Sequence, residues 1–307
     1  MTATEQRGPS VAIVIVVWNG KDDTLECLRS LARDTYPNKR VIIVDNGSTD
    51  GSSGEVRAAF PETIVLETGK NLGFTGGNNV GIRHAVEAGF DYVFLLNNDT
   101  IVETHALSEL VAAAEANPRL GVLAPVIHYY DAPDDIWFAG SRLELSCGAA
   151  WHDNSCQPAR NEAPYDVPWA TGCAMLIRTG LINEMGGFDD RYYLTWEDVD
   201  LSIRVRKAGF SVAAVPAARI YHKGGRSGRR MAESQHYYAV RNSLLLVRKH
   251  REGLGYWNAA RRIVVYSMVR CWRICRSEPR ELARYVRTTF AGIIDHLTGR
   301  YGAFRPR

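Results

Sequence analysis

Short apolar runs alternate with amphipathic stretches from Val11 to about Ile127. The runs are β-branched and uninterrupted, as in strands that are buried on both faces of a sheet. The alternation predicts an α/β fold: a Rossmann-like, mostly parallel central sheet with helices on both faces. The predicted strands are 11–18, 41–44, 64–66, 92–96 and 122–126, and the predicted helices are 22–33, 52–60, 77–88 and 104–116.

The pattern changes at residue 128 and again after residue 168. Residues 128–168 are rich in Pro, Asp, Gly and aromatic residues, which favours hairpins and loops. Regular elements then return, with strands at 173–177, 212–215 and 219–221 and helices at 179–185 and 198–208. The chain thus divides into a disordered segment over 1–9, an α/β domain over 10–228 and a helical region over 229–307.

Composition indicates a soluble globular protein of 307 residues with 46% hydrophobic and 23% charged positions. The net charge of +3 conceals an asymmetry, because residues 248–307 alone carry +10. The six cysteines show no CxxC pair or metal-finger spacing, which favours reduced thiols in a cytoplasmic protein. The N-terminus lacks signal-peptide features, and the longest uncharged apolar runs are too short to span a bilayer.

Polar, glycine-rich segments follow four successive predicted strands. They are Asn19-Gly20, Asp45 to Asp50, Lys70 to Asn79 and Asn97-Asn98-Asp99. Each alone could be an ordinary turn. Because ligands bind beyond the carboxyl ends of parallel strands, four such segments predict a ligand-binding rim. The chain has no GxGxxG after the first strand and no GxxxxGK[ST], so neither a dinucleotide fingerprint nor a P-loop accounts for this rim.

Three carboxylates are crowded into Glu197, Asp198 and Asp200. Such a cluster is stabilised by a cation, a proton or a hydroxyl-bearing substrate. The alternative is a helix start with favourably placed acids in its first turn. If Asp198 opens a helix, Asp200 points away from it, so the acids have different roles.

These segments together resemble the inverting nucleotide-sugar glycosyltransferases of family 2, which have the GT-A fold. The resemblance covers about residues 10–228 and rests on residues 16–19, 44–50, 71–74, 77–79, 95–99, 187–189 and 196–200. Within the family the chain is most similar to bacterial rhamnosyltransferases of surface-polysaccharide synthesis. Asn71-Leu72-Gly73-Phe74, Trp196 to Leu201 and His222-Lys223-Gly224-Gly225-Arg226-Ser227 carry that likeness.

The resemblance implies a site for a divalent cation and a nucleotide. The family's D-x-D segment is Asn97-Asn98-Asp99 here, so an amide replaces the first carboxylate. Asp99 and His222 are the implied ligands of Mg²⁺ or Mn²⁺, which would neutralise a diphosphate leaving group. Taken alone, a histidine that ends a strand is more often a structural hydrogen-bonding residue. The implied nucleotide-sugar residues are Trp18, Asn19, Asp45, Asn71, Gly77, Asn78, Asn97 and Asn98.

The resemblance also assigns the acids. Asp198 is the implied general base for the acceptor hydroxyl, Glu197 orients the acceptor or the base, and Asp200 is structural, paired with Arg204. Thr171, Gly172 and Trp196 line the acceptor side, although core packing explains Trp196 equally well.

The expected reaction is transfer of a sugar to a polysaccharide or polyprenyl-diphosphate-linked acceptor. The implied donor is dTDP-L-rhamnose, and a UDP-hexose or UDP-N-acetylhexosamine is the alternative. A non-catalytic nucleotide-sugar or glycan-binding module is the alternative from another class, supported only by the missing first aspartate of the D-x-D segment.

The C-terminal segment 261–290 has basic amphipathic character. Arg262, Arg270, Arg273 and Arg276 fall within about 120° on an ideal helix, opposite Val264, Met268, Cys271 and Cys275. This pattern fits peripheral contact with the inner face of the cell membrane, or equally a helix packed on the domain with a solvated basic face. A nucleic-acid partner is not expected, because it would leave the strand-end rim unexplained. The oligomeric state stays open, a homodimer included.

Overall fold

In the part of the chain that the structure describes, an α/β domain is followed by three helices. A computed structural model describes residues 8–153, 155, 157–224, 228–251, 253–277 and 282–305. The strands are β1 (Val11–Val17), β2 (Lys39–Asp45), β3 (Ile64–Glu67), β4 (Tyr92–Leu96), β5 (Thr100–Val102), β6 (Leu120–Tyr129), β7 (Ile136–Phe138), β8 (Ser141–Glu144), β9 (Ala149–His152), β10 (Tyr165–Asp166), β11 (Ala174–Arg178) and β12 (Ser211–His222). The helices are α1 (Lys21–Arg33), α2 (Ser52–Ala59), α3 (Gly73–Glu87), α4 (Ala106–Ala116), α5 (Thr179–Glu184), α6 (Glu197–Lys207), α7 (Gly228–His250), α8 (Gly253–Ser277) and α9 (Leu282–Leu297).

The central sheet is parallel in one half and mixed in the other. Its order is β10-β12-β6-β11-β4-β1-β2-β3, with β5 paired to β12 and β7 to β6. The β3-β2-β1-β4 half is parallel, as the sequence predicts. Strand β11 is antiparallel to both β4 and β6, whereas β12 is parallel to β6, so the predicted α/β sheet is mixed rather than purely parallel. Apolar composition shows that β11 is buried, but it does not show its direction.

The largest differences from the predicted bounds concern α3 and β12. Helix α3 begins at Gly73, four residues before the predicted start, and Gly73 has a φ of 77° that glycine adopts without a Cβ penalty. The two predicted strands at 212–215 and 219–221 are one strand, β12, whose pairing with β6 shifts register between Val215 and Arg219. That irregularity interrupts the alternation that the sequence pattern detects.

The hydrophobic core lies on both faces of the sheet. Strands β1, β4 and β11 are buried almost throughout, and α1, α3 and α4 cover them with apolar side chains such as Leu31, Ile82 and Leu107. Each fully buried aliphatic side chain of this kind contributes about 1.5–3 kcal/mol. This core fixes the strand ends, and with them the loops that follow.

The two ends of the chain are attached to this domain. Residues 1–7 of the predicted disordered segment lie outside the described residues, whereas the carbonyls of Gly8 and Pro9 accept hydrogen bonds from Asn38 and Tyr36. Helix α7 packs against α8 and α9, and residues of the 191–195 loop are hydrogen-bonded to it. None of the described helices is both long enough and apolar enough to cross a membrane.

Candidate active site

A cleft of about 690 Å³ opens beside the ends of β4, β11 and β12. Eight of the residues singled out in the sequence line it together: Asn97, Asp99, Thr171, Gly172, Trp196, Glu197, Asp198 and His222. The folded chain therefore brings the implied base, metal ligands and acceptor-side residues to one place, although they span 126 positions from Asn97 to His222.

The Asp198 carboxylate is oriented by two backbone amides. Its Oδ2 accepts a hydrogen bond from Gly172 N–H at 2.9 Å, and its Oδ1 accepts one from Val199 N–H at 2.8 Å. Burial raises the pKa of Asp198, and these two hydrogen bonds only partly offset that rise. A fixed carboxylate with a raised pKa and free lone pairs is suited to take a proton from a substrate hydroxyl.

Glu197 is nearly fully buried beside Asp198. Its Oε2 makes no hydrogen bond with any described residue, although a buried polar atom normally has a partner. Burial, and after it the Asp198 charge, raises the pKa of Glu197 well above its usual range. Because Asp198 accepts two backbone N–H groups that favour its ionised form, we assign the proton of this pair to Glu197.

Asp99 and His222 meet through the pairing of β5 with β12. Thr100 lies opposite His222 in that ladder, and Lys223 N–H donates to the Asp99 carbonyl at 3.0 Å. The Oδ1 of Asp99 and the Nε2 of His222 are 3.2 Å apart. Two ligands at about 2.1 Å from an octahedral cation lie about 3 Å apart, so the pair fits adjacent positions around one ion. Among the described residues, no group of three or more His, Cys, Asp or Glu could hold a metal.

The loop before Glu197 has an unusual backbone. Tyr193, Thr195 and Trp196 all have positive φ, at 64°, 64° and 75°, which is costly for residues with a Cβ. Asn242 of α7 donates from Nδ2 to the carbonyls of Tyr192, Leu194 and Thr195 at 2.8–2.9 Å. Arg241, which is fully buried, donates to the carbonyls of Arg191 and Tyr192. Helix α7 thus holds the loop that carries the two acids.

The start of α3 supports the same loop from the other side. Tyr193 O accepts from Phe74 N–H at 2.8 Å, and the Tyr193 hydroxyl donates to Asn71 Oδ1. A Cβ on Gly73 would come within 2.5 Å of Tyr193 O, so only glycine allows this approach. Asn46 completes the junction by donating to Gly73 O at 2.9 Å. In this structure the NLGF segment is a support for the loop that carries Glu197 and Asp198.

The remaining predicted nucleotide residues lie outside the cleft lining. The Asp45 carboxylate accepts from Ser48 N–H and Ser53 Oγ; burial acts to raise the pKa of Asp45, but these hydrogen bonds outweigh it and lower the pKa. Asn19 has a φ of 60° and accepts from Thr49 N–H. Trp18 is 53% exposed beside them. These residues lie at the carboxyl ends of β1 and β2, and their contact with a nucleotide stays a prediction.

Three of the predicted nucleotide residues have structural contacts. The Asn98 amide donates to Thr24 Oγ1 at 3.0 Å, and the Asn78 amide donates to Phe74 O at 2.9 Å. A Cβ on Gly77 would come within 2.7 Å of Val16, so Gly77 lets α3 pack closely on β1. These contacts give each residue a role in the fold, and no contact with a ligand is needed to explain them.

Asp200 pairs with Arg204 and has more partners than the sequence predicts. Its Oδ2 accepts from Arg204 Nε at 2.8 Å, one helical turn away. Lys249 and His250 of α7 also contact this buried carboxylate. Burial acts to raise the pKa of Asp200, but the hydrogen bond from His250 and the charges of Arg204 and Lys249 lower it to about 2.

Several residues that line the cleft belong to none of the sequence motifs and were not predicted. Trp137 comes from the irregular middle segment and Trp169 directly follows it, and Trp137 packs edge-on against His222 with ring centroids 4.5 Å apart. Gln235, His236 and Tyr285 reach the cleft from α7 and α9. Tryptophans in an otherwise polar, loop-rich segment were a usable signal for a sugar-binding wall. Nothing in the helical pattern of α7 or α9 separates the cleft residues from core residues.

Comparison with known proteins agrees with this geometry. Residues 12–186, more than half of the chain, match the model of the family "Glycosyl transferase family 2". The chain belongs to glycosyl transferase family 2. It is therefore a glycosyltransferase, and the family match ends before Glu197, Asp198 and His222.

Two relatives in this family are similar over most of their length. The N-acetylglucosaminyl-diphospho-decaprenol L-rhamnosyltransferase of Mycobacterium tuberculosis is 29% identical over 270 residues, which cover 80% of this chain and 86% of that protein. The dTDP-rhamnosyl transferase RfbF of Shigella flexneri is 20% identical over 310 residues, covering 96% and 98%.

Solved structures with a similar fold confirm the GT-A architecture. The mannosyltransferase PcManGT from Pyrobaculum calidifontis, in complex with GDP-Man and Mn²⁺, superposes with a TM-score of 0.59 at 15% identity over 96% of this chain and 89% of that one. GalNAc-T7 with UDP, GalNAc and Mn²⁺ has a TM-score of 0.58 at 14% identity, covering 78% and 51%. At this identity the likeness concerns the fold alone.

Proposed function

We propose that the protein transfers L-rhamnose from dTDP-L-rhamnose, with inversion, to a lipid-linked or polysaccharide acceptor of cell-surface glycan synthesis. The observation that carries the proposal is the Asp198 carboxylate, held by two backbone amides in the same cleft as Asp99 and His222. The names of the two rhamnosyltransferase relatives support the sugar and the lipid-linked acceptor.

Asp198 acts as the general base in this proposal. It takes the proton of the acceptor hydroxyl as that oxygen attacks the anomeric carbon and the nucleotide diphosphate leaves from the opposite face. Protonated Glu197 donates a hydrogen bond to the acceptor, which supplies the partner that its buried Oε2 lacks among the described residues. Trp137 and Trp196 exclude water from the same cleft.

Asp99 and His222 are the proposed ligands of Mg²⁺ or Mn²⁺. Such an ion neutralises charge on the diphosphate leaving group when it is bound. Two protein ligands are few, but sites of this kind usually combine one or two protein ligands with substrate phosphates and water. Asn97 lines the cleft near this pair, where its amide contributes no charge.

The proposed peripheral membrane contact is supported by α8. Its exposed side chains include an apolar stripe within about 80° on an ideal helix: Leu254, Trp257, Val265, Met268 and Trp272. The opposite face, with Ala259, Ile263 and Ser267, is buried. Met268, on the predicted apolar side, is 49% exposed and belongs to this stripe, and the side chains of Arg270, Cys271, Arg273, Cys275 and Arg276 lie outside the described part of the chain.

A donor panel tests the proposed reaction. The protein is incubated with Mn²⁺ or Mg²⁺, an N-acetylglucosaminyl-diphospho-lipid and either dTDP-L-rhamnose or UDP-sugars, and products are identified by mass spectrometry and NMR of the anomeric centre. We expect transfer from dTDP-L-rhamnose with inversion. Transfer confined to UDP-sugars would refute the donor, and retention of configuration would refute the role of Asp198.

A further inference from the structure

A second, apolar groove adjoins the catalytic cleft. It has a volume of about 580 Å³ and lies between the β8–β9 hairpin and helices α7 and α8. Its walls include Trp151, Val240, Ile263 and Tyr266. The proposed chemistry of donor, metal and base uses none of these four side chains.

The groove is continuous with the cleft. Ala150, Trp196, His236 and Ala239 line both spaces. Trp196 directly precedes Glu197 and Asp198, so the groove reaches the residues that face the acceptor hydroxyl. A molecule with its reacting end at Asp198 can therefore extend into the groove without leaving the protein surface.

Much of the groove lining is apolar, and its two serines are already hydrogen-bonded. The Ser243 hydroxyl donates to Val240 O at 3.0 Å, and the Ser267 hydroxyl donates to Ile263 O at 2.8 Å, each within its own helix. Sugar or peptide groups placed there would lose hydrogen bonds to water, whereas a hydrocarbon chain loses none. Small residues, among them Gly148 and Ala149, keep the space open.

The far rim of the groove leads to the exposed stripe of α8. Tyr266, which lines the groove, is 66% exposed, and Val269, which is 40% exposed, lies between Tyr266 and Val265 of the apolar stripe on an ideal helix. Trp151 on the facing hairpin is 47% exposed. A hydrocarbon path thus runs from the surface proposed for membrane contact, through the groove, to the cleft.

We propose that this groove binds the first isoprene units of a polyprenyl-diphosphate acceptor. The inference rests on the proposed lipid-linked acceptor, and it assigns that lipid a site formed by Ala149, Trp151, Ile263 and Tyr266. The bound chain positions the acceptor sugar against Asp198, so the lipid contributes to acceptor affinity in the absence of any membrane.

The test compares two soluble acceptors with the same N-acetylglucosaminyl diphosphate head, one carrying farnesyl and one carrying methyl. Ala149→Leu fills the groove from the hairpin, and Tyr266→Ala removes an exposed wall with little risk to folding. Displacing about two methylene groups of the bound lipid from the groove corresponds to roughly a tenfold loss of affinity for the farnesyl acceptor. We therefore expect the farnesyl-to-methyl ratio of kcat/KM to fall about tenfold in both variants and to stay unchanged in Ala283→Leu, an exposed site on α9.

A direct binding measurement separates this inference from the proposed reaction. A diazirine-bearing farnesyl diphosphate probe, used without donor, should label residues 147–151 or 263–267, and Ala149→Leu should reduce that labelling. Labelling with no transfer from dTDP-L-rhamnose would refute the donor and keep the groove. Labelling elsewhere, or equal losses on both acceptors, would overturn the groove assignment.

Discussion

Helix α7 holds the loop that carries the two acids, and Asn242→Ala tests whether that contact matters for catalysis. The Asn242 side chain is fully buried and donates to the carbonyls of Tyr192, Leu194 and Thr195. Tyr192 O keeps a hydrogen bond from Arg241 in the variant, whereas Leu194 O and Thr195 O lose this donor. The loop is then free to leave the positive φ values of Tyr193, Thr195 and Trp196.

The expected loss of stability follows from those two carbonyls. An unpaired buried carbonyl costs about 1–3 kcal/mol. Because both hydrogen bonds are only partly buried, we take a value from the lower half of this range for each carbonyl, which gives about 3 kcal/mol for the two together. Movement of the loop displaces Asp198, and a displacement of about 1 Å can reduce turnover roughly 100-fold. We expect kcat to fall by about that factor while the donor KM changes little.

The assay measures urea unfolding and steady-state kinetics at a temperature where the variant is folded. Leu110→Ala is the control for stability, because this buried residue of α4 lies away from the cleft and its truncation costs a comparable 2–5 kcal/mol. The control should keep its kcat. Full turnover in folded Asn242→Ala, or an equal loss of kcat in Leu110→Ala, would refute the positioning role.

Four further predictions concern individual carboxylates and the metal pair. Asp198→Asn should keep dTDP binding by calorimetry but lose at least about 100-fold in turnover, and unchanged turnover would remove Asp198 from the base role. Because burial raises the pKa of Asp198, kcat/KM should fall as pH drops through a midpoint above the usual carboxylate value; a midpoint near pH 4 or below would contradict this. His222→Ala should weaken Mn²⁺ binding in the presence of dTDP, measured by electron paramagnetic resonance, whereas the exposed control Asp134→Asn should not. Equal Mn²⁺ affinity in the two variants and the unmodified protein would exclude His222 as a metal ligand. The pKa of Asp200 is lowered to about 2, so the ionised carboxylate contributes about 2 kcal/mol to the free energy of unfolding above pH 4, and this contribution is lost as pH falls toward 2. Asp200→Asn should therefore make the free energy of unfolding less dependent on pH between 4 and 2. An unaltered pH dependence would refute this role.

The sequence by itself determined most of the strands in the parallel half of the sheet and the chemical types of the side chains in the site. Buried strands such as β4 appear as uninterrupted apolar runs because both of their faces are covered, and β4 has the predicted bounds. Glu197, Asp198 and Asp99 are unusual in their sequence context, since crowded or strand-end acids need a partner. Motif spacing within one element is local, and local patterns are what a sequence displays directly.

Tertiary structure alone decided the strand direction of β11, the polar contacts of α7 and the shape of the cleft. The antiparallel pairing of β11 with β4 and β6 is a non-local choice that its composition does not encode. Asn242 has no unusual sequence context, and it matters only because α7 packs 47–50 positions away in sequence against the loop. The NLGF segment shows the same division: its residues are recognisable, but only the fold shows that Gly73 is a glycine because Tyr193 O lies where a Cβ would be. Long-range packing sets these contacts, and no periodicity along the chain records them.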